Sequence, residues 1–215
     1  MGKKPVTSGR RPVEGTQWIL ASASPRRKEI LRRLGISFTA DPRHVHEPPR
    51  RPKETAARYV IRLSRLKAEK AAGNYESGIV LAADTVVVSG RAILGKPVDR
   101  GSAAAMLRRL SGRWHEVVSG ICLIDCGKDR VFSASCLSRV HFRRMSRKEI
   151  EWYLDTNEFH DKAGAYGIQG YASLFIDRIE GCYFNIVGFP VSTFEKLCRK
   201  AGIDLPGDLA NTVGP

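Results

Sequence analysis

The chain has 215 residues, 42% hydrophobic and 27% charged, and its 36 Lys and Arg against 22 Asp and Glu give a formal net charge of +14. That length supports one sizeable core, and the basic excess calls for an anionic partner: nucleic acid, a membrane surface or a phosphorylated small molecule. No apolar run reaches membrane-spanning length, and the five cysteines contain no C-x-x-C pair and set out no zinc pattern, so they read as reduced, mostly buried thiols of a cytoplasmic protein.

Residues 1–16 read as a flexible basic extension without the apolar stretch of a signal peptide. A strand is expected near 17–22 and a helix near 25–34, stopped by Gly35. Between them lies Ser22-Ala-Ser24-Pro25-Arg26-Arg27. Ser24 is a natural N-cap, and Pro25 suits the first helical position because its missing N–H would be unpaired there. Arg26 and Arg27 stand at the end of the helix where the dipole disfavours cations. Two readings fit. One is a capped helix with solvated arginines. The other is a phosphate cradle of free N–H groups, the Ser22 and Ser24 hydroxyls and two guanidinium groups.

Residues 41–52 are proline-rich and read as loop, followed by a helix over 53–72. Val60, Leu63 and Lys67 share one face of that helix, and Arg58, Arg62 and Arg65 share another. From Arg43 to Lys70 nine Arg and Lys face three Glu, a local net of +6 that reads mostly as solvated charge. Within it Glu47 reads as solvated, and Lys67 as a residue that snorkels past the core.

Residues 79–88 form a buried strand interrupted by Asp84-Thr85. A carboxylate there must be paired, hydrogen-bonded, metal-bound or protonated, and such forced environments concentrate at active sites. A short strand follows at 92–94, and Lys96 stands just after it behind Gly95, as a turn lysine or a point charge for phosphate. A helix over 102–110 leads to a long hairpin, 114–125 and 130–142. Ser146-x-x-Glu149 is a capping box opening a helix to about Leu154.

The segment Asp161-Lys-Ala-Gly-Ala-Tyr-Gly-Ile-Gln169-Gly170 reads either as an ordinary loop or as a ligand loop. Its glycines allow close backbone approach, Asp161 suits a hard cation such as Mg²⁺, and Gln169 offers a donor and an acceptor to a base edge. Strands near 173–179 and 183–188 and a helix from Pro190 to Gly202 complete the chain. The inventory fits phosphoanhydride hydrolysis by charge neutralisation and a metal-activated water.

The motifs Leu20-Ala-Ser-Ala-Ser-Pro-Arg-Arg27, Tyr59-Val-Ile-Arg-Leu-Ser-Arg-Leu-Lys67-Ala68, Ala83-Asp84-Thr85 with Gly95-Lys96-Pro97, Leu110-Ser-Gly-x-x-His115-x-Val117 and Asp161 to Gly170 occur in one order. In this the chain resembles the Maf family, the septum formation inhibitor-like nucleoside triphosphate pyrophosphatases. The resemblance implies an α/β fold like that of the inosine triphosphate pyrophosphatases, an elongated mixed sheet flanked by helices with a cleft between two lobes. It places the pyrophosphatase domain at 17–203 and leaves 204–215 as a tail. It implies hydrolysis of a nucleoside triphosphate to the monophosphate and pyrophosphate with a divalent cation, Mg²⁺ or Mn²⁺. Asp84 takes the place of the general base, or holds the metal, with Glu47 and Asp161 as further acidic groups. Arg26, Thr85 and Gln169 match specificity positions, and Lys67 and Lys96 match phosphate contacts beside Ser22, Ser24 and Arg27. Ala-Asp-Thr paired with Gly-Ile-Gln-Gly resembles the branch acting on dTTP and UTP, as opposed to the 7-methyl-GTP branch. The family is linked to cell-division arrest and to removal of modified nucleotides, and suggests a homodimer. The rival reading, a basic nucleic-acid-binding regulator, rests on charge alone and leaves Asp84 unexplained; nucleic acid is expected to bind weakly and without sequence preference.

Overall fold

The computed structural model describes residues 16–205 and Leu209. The expected N-terminal extension and most of the expected C-terminal tail therefore lie outside the described residues. In chain order the elements are β1 (Trp18–Leu20), α1 (Pro25–Arg33), β2 (Phe38–Ala40), α2 (Ala56–Ala72), β3 (Ile79–Ser89), β4 (Ala92–Leu94), α3 (Arg100–Leu110), β5 (Trp114–Asp125), β6 (Arg130–Phe142), α4 (Arg147–Asp155), β7 (Ile176–Glu180), α5 (Tyr183–Val187) and α6 (Val191–Ala201). Short 3₁₀ turns occupy Cys126–Lys128, Ala163–Ala165 and Tyr171–Phe175.

The strands form one seven-stranded mixed sheet in the order β2-β1-β3-β5-β6-β7, with β4 beside β3. β1 runs parallel to β2 and β3, and the remaining pairs are antiparallel. The hairpin read from the alternating pattern is β5 and β6, paired from Trp114↔His141 to Asp125↔Arg130.

β3 lies in the interior of the sheet and is covered on both faces. Ile79, Leu81 and Ala83 pack with α1 and α6, and Val87 packs with α3 and α4. On the opposite face Val80 and Ala82 pack against Ala68 and Ala71 of α2, while Val86 and Val88 pack near Val60. Side chains alternate across a strand. Thr85 therefore falls at the seam between two apolar clusters on one face, and Asp84 falls at the corresponding seam on the other. The strand delivers a polar pair to its middle while its ends stay apolar.

α2 holds itself over this seam through Gly120, the residue registered opposite Asp84 on β5. A Cβ on Gly120 would lie 2.6 Å from Ile61 N and closer still to the Val60 carbonyl. Only glycine lets the α2 backbone rest on β5 there.

Four local readings are corrected. Residues 183–188 are not a strand. They form α5, ended by Gly188 in the left-handed region (φ 115°), with Asn185 fully buried. The Asn185 amide donates to Val117 O at 2.9 Å and Ser138 Oγ at 3.0 Å, and these partners outweigh the strand preference of Tyr-Phe-Asn-Ile-Val. Residues 171–175 are a 3₁₀ turn ahead of β7. Ser24 occupies the N-cap of α1, but its side chain makes no capping bond. The five cysteines are all free thiols, yet only Cys122 and Cys198 are buried and the other three are partly exposed.

Candidate active site

Asp84 is 8% exposed and forms an ion pair with Lys67 of α2. The same ammonium meets Glu47 Oε1 at 2.7 Å. Lys67 is thus not a snorkelling surface lysine, and Glu47 is not a free solvated acid: α2 and the proline-rich loop bring both to β3. Burial pushes the Asp84 carboxyl above the ordinary carboxylate range, while Lys67 and Arg27 pull it back down. A carboxylate poised in this way is available as a proton acceptor, with a cation at hand to keep it ionised.

The Ser22–Arg27 segment divides its two arginines between tasks. Arg27 turns inward: Nε donates to Gly188 O at 3.0 Å, Nη1 to Ser22 Oγ at 3.0 Å and Nη2 to Thr85 Oγ1 at 3.4 Å. Burial disfavours its charge, and the field of Asp84 supports it. Thr85 also bonds Ser119 Oγ at 2.9 Å and Gly188 O at 3.4 Å. Ser22 accepts a further bond from the Ser24 N–H at 3.3 Å. This network ties α1, β3, β5 and the α5 end into one frame. Arg26 is half-buried, with Asp161 as the acid supporting its charge.

The glycine segment docks against the β4 exit. Gly164 N–H donates to Gly95 O at 3.0 Å, and its missing side chain makes room for Val87, where a Cβ would sit 3.0 Å from the valine methyl. Lys96 lies 3.6 Å from Asp161, both largely exposed. The turn is anchored at its centre by Tyr166, whose hydroxyl meets Nε2 of buried His115 at 2.8 Å. Gly170 N–H bonds Gly167 O at 3.2 Å, closing a turn with Ile168 buried and Gln169 exposed at its tip.

Two of the three expected acidic ligands converge. Asp84 and Glu47 meet at one ammonium, so their oxygens already surround a point that holds a cation, and oxygen donors suit Mg²⁺ or Mn²⁺. Asp161 is set apart with Lys96. Among the described residues no three His, Cys, Asp or Glu side chains gather at metal-holding spacing. Of the three, Asp84 and Glu47 are the pair that could hold such a cation, one or two carboxylates being what Mg²⁺ takes from protein at phosphate sites.

Three supporting residues escaped the sequence reading. Arg62 belongs to the face read as solvated, yet it grips Glu54 with Nε and Nη2, each at 2.8 Å, and donates to Pro49 O at 3.1 Å. That clamp fixes the loop two residues beyond Glu47 and holds the Glu54 carboxyl down at about 2. Glu158 and Gly120 are the others. Gly120, inside a strand, carried a readable sign of close backbone approach. Arg62 lies within the Tyr59–Ala68 motif and on a periodic face, but neither assigned it a role, and no signal marked Glu158.

Comparison with known proteins gives the family. The family described as Maf-like protein matches residues 17–201. A protein of Syntrophomonas wolfei named dTTP/UTP pyrophosphatase is 43% identical over 189 residues, covering 86% of this chain and 98% of its own. Proteins of the same name from Hahella chejuensis and Clostridioides difficile are each 47% identical, over 88% and 85% of this chain and 94% and 93% of theirs. Among solved structures, the Staphylococcus aureus Ham1 protein matches at 12% identity and a TM-score of 0.43, over 59% of this chain and 71% of that one. Over nearly its whole described length, this chain belongs to the Maf family.

Proposed function

We propose that this chain hydrolyses dTTP and UTP to the monophosphate and pyrophosphate. The observation that carries the proposal is the buried Asp84 beside Lys67 and Glu47, in a chain whose full-length relatives bear the name dTTP/UTP pyrophosphatase. Water adds across the bond joining the α- and β-phosphates, and Asp84 takes the water's proton on a carboxylate oxygen. Lys67 keeps Asp84 ionised, then shares its charge with the phosphates as they arrive. Arg26 and Lys96 neutralise the triphosphate from the other side, with Asp161 holding them near each other until substrate displaces it. Arg27, held by Ser22 and Thr85, keeps the frame and lends positive potential to the site. Asp84 and Glu47 would hold a divalent cation, which would supply Lewis-acid stabilisation of charge on the phosphate oxygens.

Gln169 reads the base. Its amide donates to a pyrimidine carbonyl and accepts from the N3–H of uracil or thymine, a pairing that cytosine lacks. We place the enzyme in the cytoplasm, where its five free thiols stay reduced; among the described residues no helix is long and apolar enough to cross a membrane. Incubating dTTP with the protein and Mg²⁺ and resolving the products by phosphorus NMR tests the reaction. Equimolar dTMP and pyrophosphate are expected. Release of inorganic phosphate and dTDP, or no turnover with either Mg²⁺ or Mn²⁺, overturns it.

A further inference from the structure

Glu158 follows α4, outside the Asp84 cluster; its N–H donates to Thr156 Oγ1 at 3.2 Å, and its carboxylate faces the glycine turn and its supports. Oε2 accepts the Tyr171 N–H at 2.7 Å, and Oε1 accepts the hydroxyl of fully buried Tyr153 at 3.2 Å. The backbone carbonyl of Glu158 accepts from the Lys162 ammonium. A Cβ on Gly170 would lie 2.5 Å from Glu158 Oε1, and one on Gly167 would lie 3.5 Å from it. The carboxylate thus fills the space that a side chain at position 170 would take, while at Gly167 that space belongs to the Lys162 side chain, whose Cε would lie 2.9 Å from an added Cβ. Gln169 stands at the tip of that turn with its side chain exposed, so its aim is set by the backbone beneath it.

We infer that Glu158 is a positioning residue for Gln169, and through it for the choice of base. The inference rests on Gln169 being the base contact. The glycine at 170 then has a reason beyond loop flexibility: it admits the clamp. A carboxylate accepting a backbone N–H and a buried hydroxyl is a stiff, charge-assisted anchor. Losing it releases the turn without touching the groups that move the proton.

The test measures kcat and KM for dTTP and CTP with the wild type, Glu158→Ala, Glu158→Gln, Gln169→Ala and the Glu158→Ala/Gln169→Ala double variant. Glu158→Ala is expected to raise KM for dTTP about tenfold with kcat within about threefold, as loss of substrate positioning does. The dTTP-to-CTP ratio of kcat/KM contracts toward that of Gln169→Ala, and the double variant contracts it no further. Glu158→Gln keeps an amide oxygen for the Tyr171 N–H, and the Tyr153 hydroxyl can turn to accept from its amine, so the ratio is restored to within about threefold of wild type. Gly170→Ala, which pushes the carboxylate aside, gives the same contraction and serves where Glu158→Ala does not fold. If Gln169→Ala contracts the ratio while folded Glu158→Ala and Gly170→Ala leave it intact, Glu158 is not the positioning group. If Gln169→Ala itself leaves the ratio unchanged, the base contact fails and the inference falls with it.

Discussion

Gly120→Ala changes one hydrogen into a methyl group at the point where α2 rests on β5. The added Cβ would lie 2.6 Å from Ile61 N and closer to the Val60 carbonyl, both backbone, so no flexible side chain can yield. Restoring an ordinary separation of about 3.5 Å lifts α2 by about 1 Å. Overpacking of this kind costs roughly 1–3 kcal/mol. For a domain of this size that lowers Tm by about 2–12 °C. The lift also carries Lys67 away from Asp84, which is registered opposite Gly120 on the neighbouring strand. A displacement of about 1 Å at catalytic groups costs on the order of a hundredfold in rate. Thermal unfolding followed by circular dichroism, with kcat on dTTP measured well below Tm, reads both effects. Gly101→Ala is the control: its Cβ would meet only Asp99 Oδ1 at 3.5 Å, so it should leave stability unchanged or raise it slightly. A Gly120→Ala protein with wild-type Tm and kcat would refute the claim that α2 is seated through this glycine.

Asp84→Asn keeps the shape of the site and removes the proton acceptor, so kcat should fall at least about a hundredfold with the fold intact; near-normal turnover would remove Asp84 from the chemistry. Lys67→Ala, Lys96→Ala and Arg26→Ala should each lower kcat/KM sharply, whereas Arg50→Ala and Arg51→Ala, exposed charges of the loop, should change it little; equal effects at all five would mean that bulk charge governs binding. Acid should destabilise the protein through His115. Burial lowers its pKa from 6.5 to about 4, so between those values the unfolded chain binds the proton that the folded chain refuses. Stability therefore falls as pH drops from 6.5 toward 4, by up to about 3 kcal/mol from this group. Urea midpoints across that range should fall less steeply in His115→Gln, and an identical slope would contradict it.

The parts of this fold that were legible in the sequence are those set by short-range pattern. An alternating pattern marked both arms of the β5–β6 hairpin. Ser146 and Glu149 announced their capping box, which the structure forms on both sides. Pro190 and Gly202 bracketed α6. The apolar run of β3 with Asp84 inside it announced that a buried acid needed a partner, although nothing local said that the partner was Lys67. What was illegible depends on distant contacts. α5 is helical because Asn185 finds Val117 and Ser138 far along the chain. β2 is three residues long and is defined by its pairing with β1. Arg62 looked like one more solvated arginine because its partner Glu54, expected inside the helix, instead precedes α2 on the loop that Arg62 holds. Asp161 looked like a metal ligand by residue type, and its position beside Lys96, away from Glu47 and Asp84, is a property of how the glycine segment docks on Gly95.

The central claim is that Asp84, the cations around it and the Gln169 turn form one site that cleaves pyrimidine nucleoside triphosphates bearing an N3–H. The most direct test is kcat/KM of the wild-type protein for dTTP, UTP, CTP, dATP and GTP under one set of conditions with Mg²⁺. The account predicts dTTP and UTP as the best substrates, with CTP and both purine nucleotides at least about tenfold poorer, since a polar site rejects a ligand that leaves its groups unpaired. A preference for GTP or dATP, or equal turnover of all five, would contradict it.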